Sequence, residues 1–194
     1  MARAGLTTDK LVAAGAELAD EVGFEHVTAS AVARRFDVKV ASLYSHLSGS
    51  DDLRTRITLL ALAEMADRVA AALAGRSGKD ALAAAANVYR DYAHEHPGRY
   101  VAAQQPLDHE TAMASAGPRH AAMTLAILRG YDLPDSEQVH AVRLLGSVFH
   151  GYVRLELGGA FDHSRPGSDE SWPRILDAID VLLRNWPPTK TTGP

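Results

Sequence analysis

Residues 28–53 read TASAVARRFDVKVASLYSHLSGSDDL, and this stretch decides the fold. Thr28 precedes Ala29, Val32, Ala33 and Phe36, whose spacing puts them on one face of a short helix with Thr28 as its N-cap. Asp37 stands where the chain must turn tightly, and aspartate tolerates the left-handed conformation better than most residues other than glycine. A third short helix is expected from about Lys39 to Leu47, with Leu43 and Leu47 one turn apart. Ser48, Gly49 and Ser50 break it. Ser50 is placed to cap a longer helix whose first turn carries Asp51 and Asp52, the favourable sign for the helix dipole. Two short helices around a tight turn, with Val32, Phe36, Val38, Leu43 and Leu47 inward, fit a helix-turn-helix.

The other face of the third helix carries Lys39, Val40, Ala41, Ser42, Tyr44, Ser45 and His46, with no acid among them. Small residues permit close approach to a major groove, methyl groups can meet thymine methyls, and hydroxyls or imidazole can reach base edges or phosphates. Any short amphipathic helix also shows a polar outer face, so at this point both readings stand. Residues 28–56 hold five cations (Arg34, Arg35, Lys39, Arg54, Arg56) against three anions (Asp37, Asp51, Asp52), while the whole chain carries −4. That balance fits a local nucleic-acid face rather than a surface that coats nucleic acid or membrane.

Outward from this stretch the pattern stays helical. Thr7 or Thr8 caps a first helix striped by Leu11, Ala14, Leu18 and Val22, with Gly23 as its stop. Beyond the joint at Gly75 and Gly78, a helix is striped by Leu82, Ala85, Ala86, Tyr89 and Ala93. Pro97, Gly98, Pro106, Gly117 and Pro118 cut the middle into short helices. Pro134 fits the first turn of a long helix reaching about Leu157, and Ser168 starts a last one reaching about Asn185, with Ile175, Ala178, Ile179 and Leu182 in register. With 34 alanines, 6% aromatic residues and no alternating pattern, the 194-residue chain is expected to be all-α. A three-helix head, 1–50, would be followed by a larger helical body, 51–186, and a disordered Pro/Thr-rich tail, 187–194.

Several function classes are excluded. There is no cysteine, which removes disulfides, thiolate metal sites and a cysteine nucleophile. The run from Gly75 to Asp80 is too short for a phosphate loop, has Asp80 in place of Ser/Thr and follows no strand. His94 and His96, two apart on a helix, face different ways. No enzyme, metal or cofactor is expected. Glu64, Asp67 and Arg68 interrupt the best apolar stretch, and Asp9, Lys10, Glu17 and Asp20 break any signal-peptide core, so a cytoplasmic chain without membrane contact is expected.

Residues 28–53 resemble the DNA-binding motif of the TetR family of transcriptional regulators, above all in Leu43-Tyr44-Ser45-His46-Leu47 followed by Ser50-Asp51-Asp52-Leu53. The layout of a small head before a helical body is similar too. The body resembles the subtype named for a Trp-His-Gly triplet, with Phe149-His150-Gly151 in that place and Pro97-Gly98-Arg99-Tyr100 upstream. The resemblance implies DNA contacts at Thr28, Ser30, Val40, Ala41, Ser42, Tyr44, Ser45 and His46, beside Lys39, with Tyr44 and His46 near phosphates and Ser42, Ala41 and Val40 at base edges. Many members have glycine where Asp37 stands and a lysine in the segment held here by Ser48-Gly49-Ser50. Losing that cation implies modest affinity and a shallow salt dependence, unless Arg34, Arg35 and Arg54 compensate rather than form a solvated surface.

The resemblance further implies a homodimer through the last two helices and a small-molecule effector. Interface candidates are Val142, Leu145, Phe149, Ile175, Ile179, Leu182 and Leu183, which equally suit the monomer core, while Trp186 reads as a packing anchor. Gly146, Gly151 and Gly158 are costly in a helix unless they permit close packing or a bend. Pocket candidates are Tyr89, Tyr92, Tyr100, Gln104, Met113, Met123, Ile127, Phe149, His150 and Tyr152, each of which ordinary packing would also explain. The implied function is a dimeric regulator, most simply a repressor, that binds a pseudo-palindromic operator in double-stranded DNA and is released by a mostly apolar small molecule. The alternative is a helical module for a small molecule or partner, with weak or lost DNA affinity.

Overall fold

The computed structural model describes residues 5–187; the rest of the 187–194 tail, expected to be disordered, lies outside the described residues. Among the described residues there are nine α-helices, three 3-10 turns and no strand, so the chain is all-α as its alanine-rich periodicity implies. They form two compact units interleaved along the sequence. One comprises the chain up to residue 67 with 92–118, the other 68–91 with the chain from 119 on.

In the first unit, α1 (Thr8–Val22) starts where the Thr7 side chain accepts the Lys10 N–H and stops at Gly23, whose φ of 93° suits glycine. It buries Leu11, Val12, Ala14, Gly15, Ala16 and Ala19, with Leu18 partly buried. Val22, expected to extend that stripe, is instead 48% exposed as the last residue of the helix. α2 (Ala29–Arg35) is capped by Thr28, whose hydroxyl accepts from Ala31 at 3.1 Å, and buries Ala29, Val32 and Ala33. Asp37 takes the left-handed conformation (φ 51°) that its position requires.

The third element corrects the expected helix from Lys39 to Leu47. It is a 3-10 turn, Val40–Leu43, continued by turns through His46. Ser42 donates to the Lys39 carbonyl and His46 to that of Leu43, while the Ser45 hydroxyl bonds back to the Ser42 carbonyl. Serine side chains compete for backbone groups in this way, and so short a run, with a β-branched residue at Val40, does not sustain α geometry. Leu43 and Leu47 remain buried. α3 (Ser50–Leu73) follows. The Ser50 hydroxyl, expected to cap it, accepts the Ala29 N–H at 3.0 Å and so joins the starts of α2 and α3, while Asp52 accepts the Ser48 N–H at 2.8 Å.

α4 (Gly78–Glu95) leads from the second unit into the first, followed by α5 (Pro97–Ala103) and α6 (His109–Ala114). α5 lies against α1: Asp20 accepts the Arg99 N–H at 2.9 Å, and its carboxylate sits 3.1 Å from the Arg99 Nε. Gly98 permits this approach, since a Cβ there would lie inside the Ala19 carbonyl and 2.6 Å from the Asp20 nitrogen.

The second unit adds α7 (Gly117–Leu128), α8 (Asp135–Leu157) and α9 (Ser168–Arg184). Pro134, expected inside the first turn of α8, occupies its N-cap position, where extended backbone (ψ 142°) delivers the chain to the helix. The core holds Leu82, Ala86, Leu128, Leu145, Phe149, Trp172, Ile179 and Leu183. The register of α9 differs from expectation: it buries Trp172, Leu176, Ile179, Asp180 and Leu183, leaving Ala178 and Leu182 exposed. Two polar anchors turn it. The Trp172 indole donates to Asn87 at 2.8 Å, and Asp180 accepts from Tyr131 at 2.9 Å and Arg184 at 3.0 Å. Of the interface candidates, Leu145, Phe149, Ile179 and Leu183 are buried inside this unit, and Val142 and Ile175 pack against its core. Trp186 is a packing anchor whose indole donates to Glu137 at 3.0 Å.

Candidate functional site

Around the 3-10 turn the outward set is largely as the periodicity places it. Ser30, Lys39, Ala41, Ser42, Tyr44 and Ser45 are exposed, and Tyr44 stands out at 60%. Thr28, Val40 and His46 are only half-buried. Thr28 uses its oxygen as a cap, Val40 packs against the head core, and the His46 carbonyl accepts from Thr8 at 3.3 Å. A large exposed phenol beside small hydroxyl-bearing residues, with Leu43 and Leu47 fixing the turn from below, is a shape that can enter a groove.

The arginines divide in a way composition does not show. Arg35 is held by Glu21 at 2.8 Å and Glu17 at 2.9 Å, and Arg54 donates to the carbonyls of Val27 and Glu25. Both therefore brace the first unit. Arg56 pairs with Asp52 at 2.7 Å. Burial raises the Asp52 carboxyl, but the Ser48 N–H and Arg56 outweigh it and hold the group below its ordinary range. Arg34 and Lys39 are exposed and have no ion pair among the described residues.

The second unit contains a cavity of about 220 Å³ between α3, α4, α7 and α8. Val69, Ala85, Ile127, Val142, Leu145 and Phe149 supply apolar walls, and Tyr89, His120, Thr124 and His150 supply polar tips. The Tyr89 hydroxyl and His120 Nδ1 are 2.7 Å apart, and the His150 ring lies edge-on to Tyr89 with centroids 5.6 Å apart. Burial pushes the Tyr89 phenol up to about 12. Burial and, after it, the neighbouring His120 lower the His150 imidazole below its usual range.

Of the ten pocket candidates, the structure brings Tyr89, Ile127, Phe149 and His150 together here. The others lie elsewhere. Tyr92 and Tyr100 are buried in the first unit, where the Tyr92 hydroxyl donates to Glu64 at 2.7 Å. Gln104 is exposed and caps the Tyr100 carbonyl, and Met113 is 61% exposed. Met123 packs on the core outside the lining, and Tyr152 stacks between Phe161 and Trp172 with its hydroxyl on the Ser168 carbonyl. Helical spacing marks an inward face but not which inward residues border a void. His120 was not among the candidates; its signal is the i, i+4, i+7 series with Thr124 and Ile127 on α7. Among the described residues no group of three or more His, Asp or Glu is arranged to hold a metal ion, and no helix is long and apolar enough to cross a membrane.

Residues 82–179 match the family model described as "Tetracyclin repressor-like, C-terminal domain". The chain is 33% identical over 185 residues to the uncharacterized HTH-type transcriptional regulator YobS of Bacillus subtilis, covering 95% of this chain and 92% of that protein. It is 32% identical over 161 residues to the uncharacterized HTH-type transcriptional regulator Rv0681 of Mycobacterium tuberculosis, covering 82% and 74%. In fold it is similar to TetR-Q116A from Acinetobacter baumannii, solved in complex with minocycline, with a TM-score of 0.70, 21% identity, and 95% of this chain and 100% of that one covered.

Proposed function

We propose, from the premise that this chain belongs to the TetR family of helix-turn-helix transcriptional regulators, that it is a repressor which binds a pseudo-palindromic operator as a homodimer and leaves it when a small, mostly apolar molecule enters the cavity. The observation that carries the DNA half is the acid-free exposed set Lys39, Ala41, Ser42, Tyr44 and Ser45 on a turn held by buried Leu43 and Leu47. Thr28, Ser30, Val40 and His46 complete the proposed contact surface, with Thr28 and Val40 acting mainly by positioning the turn. The head's role is assigned to residues 1–50 and effector binding and dimerisation to 51–186, a functional division that cuts across the two compact units.

A single head reads few base pairs, so a two-fold dimer is needed for an operator of two half-sites. Val139, Leu155 and Leu157 on α8 and Val181 and Leu182 on α9 are large apolar side chains left exposed, and they support dimerisation through these two helices. Phe149-His150-Gly151 resembles the Trp-His-Gly triplet, and its first two residues line the cavity. Two continuous helices support coupling. α3 supplies Leu53 and Ile57 to one core and Val69 to the cavity, and α4 supplies Tyr89 to the cavity and Tyr92 to the other unit. A ligand can shift DNA binding only through its differential affinity for the DNA-bound and the free form of the protein.

Selection of bound duplexes from sheared genomic DNA, with the native protein and a Tyr44→Ala/His46→Ala double variant, tests the reading. Recovery of an inverted repeat by the native protein alone is expected. Enrichment of nothing by either protein at low salt would refute it in favour of a helical binding module, a reading that the internal engagement of Arg35 and Arg54 favours.

A further inference from the structure

We propose that the cavity of the second unit takes a small, largely apolar carboxylic acid as its anion, held by the Tyr89 hydroxyl and the imidazoles of His120 and His150. This rests on the effector-binding reading above and names the chemical class of the effector.

The charge inventory of the lining carries the inference. Its titratable groups are Tyr89, His120 and His150, with no Asp, Glu, Lys or Arg among the lining residues. An ammonium ligand would enter without a counter-charge, and burying an unpaired charge is heavily penalised. Imidazoles, by contrast, are neutral or positive near neutral pH, so they can match an anion by taking up a proton. Tyr89, with its phenol pushed up to about 12, remains protonated and keeps a hydrogen to donate. The apolar walls suit a hydrocarbon tail. The volume of about 220 Å³ lies below the ~300–1,000 Å³ of drug-sized sites, which points to a short-chain or single-ring acid.

The Tyr89–His120 contact supplies the means of exchange. With His120 neutral, the phenol donates its hydrogen to Nδ1 across 2.7 Å. When His120 takes a proton from solvent, Nδ1–H donates to the phenol oxygen, and the phenol hydrogen turns to the carboxylate. His150 is faced by Tyr89 from α4 and His120 from α7, while α3 contributes Val69 and the rest of α8 contributes Val142, Leu145, Gly146 and Phe149. An anion beside it offsets the burial and the neighbouring imidazole that disfavour its charged form. Binding of the acid is therefore linked to proton uptake.

Calorimetric titration of the full chain with hexanoate, octanoate and 4-isopropylbenzoate, beside the primary amide and amine of each skeleton, tests this. At least one acid is expected to bind at least about tenfold more tightly than its amide and amine. Its affinity should fall by about tenfold or more between pH ~6 and ~8, since proton uptake can change affinity by up to about tenfold per pH unit. His120→Gln, His150→Gln and Tyr89→Phe should each weaken the acid by about tenfold without altering the helical circular dichroism. Amide or amine binding as tight as acid binding, indifference to both pH and the histidine substitutions, or no binding by any acid would overturn the assignment. Release of operator DNA is read separately. An acid that binds in this way but leaves the DNA complex intact supports the assignment and refutes the effector half of the proposed function. Intact DNA binding with no acid bound refutes the assignment alone.

Discussion

Gly98→Ala tests how α1 and α5 are held together. The new Cβ would overlap the Ala19 carbonyl and come within 2.6 Å of the Asp20 nitrogen, both helix backbone that cannot rotate away as a side chain can. Overpacking of this kind costs about 1–3 kcal/mol. Separating the helices also lengthens the bond from the Arg99 N–H to the Asp20 carboxylate, now 2.9 Å, and a hydrogen bond to a charged group contributes roughly 1.5–3 kcal/mol. Partial relaxation makes the two losses overlap, so about 2–5 kcal/mol is expected, a large fraction of an ordinary domain stability of about 5–15 kcal/mol. Urea unfolding read two ways is the assay. Trp172 and Trp186 are the only tryptophans and both lie in the second unit, whereas circular dichroism sees every helix. Early loss of helical signal ahead of the tryptophan transition is expected in the variant. A Gly98→Ala midpoint within about 0.5 kcal/mol of wild type, the range of ordinary surface substitutions, would refute the close-approach argument.

Asp180→Asn should cost about 1.5–3 kcal/mol at neutral pH through its bonds to Arg184 and Tyr131. The Arg184 guanidinium beside it holds this carboxyl below its ordinary range, so its contribution is complete above the unfolded value of about 3.9 and fades as pH falls through the folded value. The melting-temperature gap between wild type and variant should therefore close on acidification, and a gap that widens would reverse the sign. Lys39→Ala and Arg34→Ala should each reduce the slope of log affinity against log salt by about 1, whereas Arg35→Ala should leave the slope unchanged and lower stability. Equal slope changes for all three variants would contradict this division. Asp37→Gly should stabilise the head by about 0.5–1 kcal/mol, because glycine adopts a φ of 51° without the strain that a side chain brings. Destabilisation in a denaturation series would show that the aspartate does more than turn the chain.

Local chemistry was legible in the sequence wherever a residue acts on its immediate neighbours. Thr7 and Thr28 are caps because a hydroxyl three residues before an N–H can reach it in any protein, and Asp37 is left-handed because the turn demands it locally. The winding of the third element is not legible for a related reason: periodicity places Leu43 and Leu47 inward whether the run is α or 3-10, so it reports the face and not the winding.

By itself the sequence determined that the chain is helical, where most of its helices begin and end, and which short stretch presents an acid-free polar face. Those follow from forces acting over a few residues. Tertiary structure alone decided the register of α9, which Asn87 and Tyr131 set from far along the chain, and the fate of Arg35 and Arg54, which depends on Glu21 and on the Val27 carbonyl. It alone gathered Tyr89, His120 and His150 around one void, because a cavity is what remains when four helices meet, and no spacing within one helix records where the others stop.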